Sequence, residues 1–157
     1  MQLKASTDYG MRAILYLAAQ GATCSSKDIA EDMSIPRDYL IQLAQLLRNA
    51  GIIEARPGKH GGYRLAKDAS EISVLEIIKA LDEDSKRATR EKRNARKGGE
   101  MVDNIKQTYN LIEESMDAYL SSLTIDMLLG CVQDESSSRQ YLSDRLKQES
   151  QRLVADN

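Results

Sequence analysis

The 157-residue chain has no Trp, no Phe, two Pro, two Cys and one His. Each scarcity removes a class of answer. Two cysteines, Cys24 and Cys131, cannot build a disulfide scaffold and form no CxxC pair, which agrees with a reducing compartment. A single histidine, His60, narrows the general-base options, and no Ser/His/Asp set, nucleotide loop or metal-supported nucleophile is visible, so an enzyme is not expected. No apolar run approaches the ~18 residues of a bilayer span, the longest helical candidate being 13–19, so no membrane association is expected. Asp8 and Arg12 interrupt the one stretch that resembles a signal sequence ending at Cys24, and the chain reads as mature and cytoplasmic. Cys24, Cys131, His60 and Asp8 are the only soft or borderline metal ligands considered, and they lie far apart without ligand spacing, so no metal site is expected. Asp8 fits a helix start, where a carboxylate favours the macrodipole.

What is present is an ordinary globular balance, 41% hydrophobic and 29% charged residues. A chain this long buries ~70% of its unfolded surface without needing staples. The net charge of −2 hides a division: residues 1–67 hold nine Lys/Arg and six Asp/Glu, whereas 68–157 hold thirteen and eighteen. Within 36–67, Arg37, Arg48, Arg56, Lys59, Arg64 and Lys67 stand against Asp38 and Glu54, a local excess of four positive charges. Phosphate binding depends on such local fields, which act within about one Debye length.

Helical spacing of Met11, Ile14, Leu15 and Ala18 predicts a first helix over 7–19, capped by Ser6 or Thr7 and ended by Gly21. A short second helix starts near Ser25, with Asp28 in capping-box position, and buries Ile29, Ala30 and Met33. The third, 36–50, places Leu40, Leu43, Leu47 and Ala50 on one stripe, flanked by Tyr39 and Leu46. Its opposite face is Arg37, Asp38, Ile41, Gln42, Gln45, Arg48 and Asn49, mostly donors and acceptors able to read base edges. Ile41 is the apolar exception there and suits a thymine methyl. The pattern then changes to period two: Ile53 and Ala55 alternate with Glu54 and Arg56, then Tyr63 and Leu65 with Arg64, around a glycine-rich tip at 57–62. Arg56, Lys59 and His60 at that tip stand beside glycines that let backbone approach a phosphate chain or minor groove. A glycine-rich nucleotide loop is set aside, because neither GxxxxGK[ST] nor GxGxxG spacing occurs and no helix follows directly.

Three helices followed by a hairpin is the order of a winged helix-turn-helix, mainly α with a small β-hairpin. The residues Thr7-Asp8-Tyr9-Gly10-Met11-Arg12, Ile35-Pro36-Arg37-Asp38-Tyr39-Leu40 and Leu47-Arg48-Asn49-Ala50-Gly51 resemble the Rrf-two family of bacterial regulators. The wing, from Arg56-Pro57-Gly58-Lys59-His60-Gly61-Gly62 to Leu65, is the most diagnostic piece. Similarity is strong over 1–82 and looser over 100–130. It implies a homodimeric transcription factor whose paired helices and wings bind a palindromic operator in double-stranded DNA, usually as a repressor. The groove-facing residues are then Arg37, Ile41, Gln42, Gln45 and Arg48, and the wing residues Arg56, Lys59 and His60. In the cluster-binding members three cysteines lie in the segment that corresponds to 83–100, and here there are none. No cofactor is expected, and an iron–sulfur cluster least of all. A winged-helix module that docks a partner protein instead of DNA is the alternative.

Ser73 and Glu76 form a capping box for a fourth helix burying Leu75, Ile78 and Leu81, with Val74 and Ile77 adding apolar surface. The domain should therefore end near 82. Residues 83–100 then read as a basic flexible loop, with seven Lys/Arg and one Glu between 86 and 97, which could add phosphate contacts or dock an anionic effector or acidic regulatory protein. In 101–132, Val102, Ile105, Tyr109, Ile112, Met116, Tyr119 and Leu123 recur in steps of 3, 4, 3, 4, 3 and 4. That heptad seam predicts a long dimerisation helix, although part of it could cover its own winged domain. Thr124 caps a short packing helix over 125–131. The polar tail, 133–157, reads as a marginal helix or disordered chain.

Overall fold

A computed structural model describes residues 4–82, 99–133 and 135–155, so the basic loop expected over 83–100 falls almost wholly outside the described residues. Helix α1 spans Ala5–Gln20, α2 Ser26–Asp32 and α3 Arg37–Asn49. An antiparallel pair follows, β1 Ile53–Arg56 and β2 Gly62–Leu65, in the register Ile53↔Leu65 to Arg56↔Gly62. A short 3₁₀ turn at Ala69–Glu71 leads into α4 Val74–Leu81, and then come α5 Glu100–Ser122, α6 Ile125–Gln133 and α7 Glu135–Ala155.

The core lies where α1 meets α3, α4 and α6: Ile14, Leu17, Ile29, Leu40, Leu43, Leu47, Ile52, Ile72, Ile77 and Ile125 are each at most 2% exposed. Each such side chain stabilises the fold by roughly 1.5–3 kcal/mol relative to an exposed position. Helix α1 starts earlier than the sequence suggests. Its N-cap is Lys4, with no side-chain cap bond, and Thr7 is buried rather than capping. Packing against the domain core extends the helix past its best local cap. Gly21 ends it in the left-handed conformation, its N–H donating to Leu17 O at 3.0 Å.

Ser25 caps α2 as expected, its hydroxyl accepting from Asp28 N at 3.1 Å. In α3 the inward stripe is Leu40, Leu43, Ala44 and Leu47, whereas Ala50 is exposed, because the helix ends one residue before it and Gly51 turns the chain away. In α4 the buried face is Val74, Ile77 and Leu81, with Leu75 and Ile78 only half-buried. The expected face is therefore rotated. At Gly10 helices α1 and α4 touch: a Cβ there would overlap Leu81 Cδ1, and Leu81 is the residue common to the expected and the observed face.

The seam of α5 divides. Val102, Ile105, Tyr109, Ile112 and Met116 remain exposed, Tyr119 is half-buried, and Leu123 does not belong to the seam at all: it is 6% exposed and caps the helix end. Val74 N donates to Leu123 O at 2.8 Å and Ile125 N to Ile72 O at 2.9 Å, which sews this turn onto the winged domain. The tail expected as marginal helix or disordered chain is the helix α7, packed along α5 and α6.

Candidate nucleic-acid interface

Three residues of the first and third helices hold the helix-turn-helix geometry. Arg12 donates to both carboxylate oxygens of Asp8, at 3.2 and 2.6 Å, and to Met33 O at 3.4 Å, while its guanidinium lies 5.4 Å from the Tyr9 ring centre. The Tyr9 ring meets Tyr39 edge-on at 5.8 Å. The chain α2–Arg12–Tyr9–Tyr39 therefore fixes α3 against α1, and Asp8 serves as the anchor of Arg12. One turn further along the same face of α1, the Tyr16 hydroxyl donates to Asp32 Oδ2 at 2.7 Å, and its pKa is pushed up to about 12, first by that hydrogen bond and then by burial.

With its apolar stripe buried, α3 turns Arg37, Asp38, Ile41, Gln42, Gln45, Arg48 and Asn49 outward. Ile41 is 44% exposed. Arg48 Nη2 donates to Gln45 Oε1 at 3.0 Å, and Gln45 Nε2 donates to Asn49 Oδ1 at 2.9 Å. Asn49 thus orients Gln45, which in turn holds Arg48, a role visible in sequence only as the i, i+4 spacing from Gln45. Arg37 directs Nε and Nη2 at Ser26 Oγ, 3.4 Å each, so it leans on the first turn of α2, and among the described residues it has no acidic partner.

The wing places Arg56, Lys59 and His60 in solvent, and among the described residues none of the three has a side-chain partner. Gly61 N donates to Gly58 O at 3.0 Å to close the tip, Gly58 has φ +112°, and a Cβ on Gly61 would overlap Arg56 O. The glycines are required by that turn. Two cations counted in the basic stretch are spent within the fold: Arg64 Nε donates to Glu54 at 2.7 Å across the strand pair, and Lys67 pairs with Glu76 at 2.7 Å. Arg37, Arg48, Arg56 and Lys59 remain. An open crevice of about 710 Å³ joins α3 to the wing and includes Ile41, Gln42, Gln45, Arg48, Ala55 and Tyr63 in its lining. The polar face of α3 and the strands of the wing therefore share one concavity, whereas Arg37 leans on α2 and the wing residues Arg56, Lys59 and His60 stand outside its lining.

Sequence reading missed a third strand-like element. Cys24 and Tyr63 form an antiparallel bridge on the free edge of β2, so the wing is joined to the loop before α2. Burial first, and the Asp28 carboxylate second, push the Cys24 thiol up, the opposite of what an activated thiol needs.

A small helical domain with a helix-turn-helix, a hairpin wing and an exposed polar third helix is a winged helix-turn-helix protein. The chain is a member of the Rrf2 family: a family model described as "Iron-dependent Transcriptional regulator" matches residues 3–130. It is similar to IscR of T. potens, with 25% identity, 87% of this chain and 91% of that chain covered, and a TM-score of 0.69. Oxidized CymR of Staphylococcus aureus is 30% identical over 82% of this chain and 96% of its own, with a TM-score of 0.61. CymR of B. subtilis, described as the global cysteine regulator, is 26% identical over 83% and 97%, with a TM-score of 0.57.

The iron dependence attached to the family invites a test against the donors here. Among the described residues, no three His, Cys, Asp or Glu side chains come together as a metal site. The whole chain has two cysteines, and they stand in separate elements: Cys24 precedes α2 and Cys131 lies in α6. Iron–sulfur clusters need several convergent thiolates. This donor set does not fit one. No helix among the described residues is long and apolar enough to cross a membrane.

Proposed function

We propose that the chain is a homodimeric, sequence-specific DNA-binding repressor that acts in the cytoplasm on a palindromic operator. Arg37, Gln42, Gln45 and Arg48 would face base edges in the major groove, Ile41 a thymine methyl, and Arg56, Lys59 and His60 the flanking backbone or minor groove. The observation that carries this reading is the wing: among the described residues Arg56 and Lys59 have no side-chain partner, and the strands that bear them share a crevice with the polar face of α3. Membership of a transcriptional-regulator family supports it. Two copies are required because half-sites one helical turn apart are separated by ~34 Å, more than one α3 can span.

In this reading the signal is received without an iron–sulfur cluster, by a small effector or a regulatory protein. A gel-shift against the chain's own upstream region tests the function. Retardation that survives excess unrelated duplex supports it. Failure to retard that fragment, or equal retardation of all fragments, contradicts it.

A further inference from the structure

Five large apolar side chains of α5, Val102, Ile105, Tyr109, Ile112 and Met116, are 44–66% exposed, on a 23-residue helix that has no buried residue. A row of that kind amounts to on the order of 500 Å² of apolar surface, the upper end of what a soluble monomer leaves in one patch. Beside it runs α7, antiparallel to α5. The Tyr119 hydroxyl donates to Leu142 O at 3.4 Å and Arg145 Nη2 to Ser122 O at 2.9 Å. Between the two helices lies a groove of about 390 Å³, with Leu111, Ile112, Met116 and Tyr119 on the α5 side and Leu146 and Ser150 on the α7 side.

We propose that α7 is half of the dimer interface: α5 and α7 together form the wall that receives α5 of a second copy, giving an antiparallel four-helix bundle. This rests on the homodimer proposed above and adds to it. The family model's match ends at residue 130, before α7 begins.

Charge selects the occupant and its direction. Thr108 and Ser115, which line the groove, occupy the flank of the α5 row that faces α7. Lys106 and Glu113, seven residues apart, occupy the opposite flank. When a second α5 lies antiparallel, Lys106 meets Glu113 of the second copy, and two-fold symmetry makes the pair twice. Parallel pairing would instead set Lys106 and Glu113 against the uncharged Met101 and Thr108. Within the single chain Lys106 Nζ lies 3.7 Å from Asp103 and Glu113 has an interaction of its own, and such contacts at exposed positions compete weakly. A groove whose open side continues the row that ends in Met116 and Tyr119 also gives the second helix one continuous apolar track.

Sedimentation of the full chain over a concentration series tests this. Leu146→Glu and Ser150→Glu should each weaken self-association by at least about tenfold with far-ultraviolet circular dichroism unchanged. Ser150 is exposed in the single chain, so that variant reports on the interface even if Leu146→Glu loosens α7. Lys106→Glu should weaken association by roughly three- to tenfold, and adding Glu113→Lys should restore it to within about twofold. A dimer whose constant is unchanged by both α7 variants overturns the role of α7 and leaves the dimer standing. Charge reversal without rescue overturns the antiparallel register. A monomeric wild type, whose groove then serves a helix of another protein, overturns this proposal and the homodimer together.

Discussion

Cys24 and Tyr63 exchange two backbone hydrogen bonds, each 2.9 Å, Cys24 N to Tyr63 O and Tyr63 N to Cys24 O. The bridge fixes the root of the wing beside the start of α2, so the wing and the helix-turn-helix move as one body. Gly62 makes the approach feasible: its φ is +156°, and a Cβ there would overlap Cys24 O. Gly62→Ala is expected to destabilise the protein by about 2 kcal/mol through strain and overpacking. Thermal unfolding reads this as a lower Tm, and an unchanged Tm would show that the bridge is not tight.

The Tyr16–Asp32 bond ties α1 to α2 and gives the protein one unusually weak acid, a phenol pushed up to about 12. The folded state holds the neutral phenol more tightly than the unfolded chain does. Its contribution is therefore complete below the unfolded value of ~10 and is lost as pH rises through the folded one. Phenolate absorbance titration of wild type minus Tyr16→Phe should show one late tyrosine, and Asp32→Asn should bring it back toward ~10.

Ser73 and Glu76 cap α4 reciprocally, Ser73 Oγ accepting from Glu76 N at 3.2 Å and Ser73 N donating to Glu76 at 2.9 Å. Ser73→Ala should cost ~1 kcal/mol, read as a Tm lower by a few degrees. Burial alone would push the Glu76 carboxyl up, but hydrogen bonds from Lys67 and Ser73 outweigh it and hold the group below its usual range. The stabilisation from ionised Glu76 is thus present above the unfolded value of ~4.3 and is lost as pH falls through the folded one. The Tm gap between wild type and Glu76→Gln should close as pH drops below about 4. A gap independent of pH would assign the effect to packing.

Arg48 and Asn49 separate positioning from reading on α3. Arg48→Ala should cost ~1–3 kcal/mol on the preferred duplex and little on unrelated DNA, whereas Asn49→Ala should loosen Gln45 and blunt discrimination less. Binding isotherms on matched and mismatched duplexes distinguish the two, and equal losses on both duplexes for Arg48→Ala would make it a phosphate contact.

The helix-turn-helix and wing were legible because local signals there agree with the fold: the 3.6-residue stripe of Leu40, Leu43 and Leu47, the Ser25 cap, and the period-two strands around glycines. What escaped is long-range. Nothing near Leu123 says that Val74 will take its carbonyl, and a heptad count continues through it regardless. The close contact of Gly10 with Leu81 joins residues more than seventy positions apart, and the bridge to Cys24 uses backbone atoms that any residue supplies. Helix α7 has weak amphipathic character, and α5 gives it a packing face that composition does not reveal. Charge counting marked a local cationic excess over 36–67 but could not see that Glu54 and Glu76 neutralise Arg64 and Lys67.

The central claim, that α3 and the wing bind duplex DNA through uncompensated cations, is tested most directly by the salt dependence of binding to the chain's own upstream duplex. Fluorescence anisotropy should give a steep loss of affinity with salt, and Arg56→Ala with Lys59→Ala should reduce the logarithmic slope by about 0.9 for each phosphate contact removed. Affinity and slope that do not change in the double variant would contradict it.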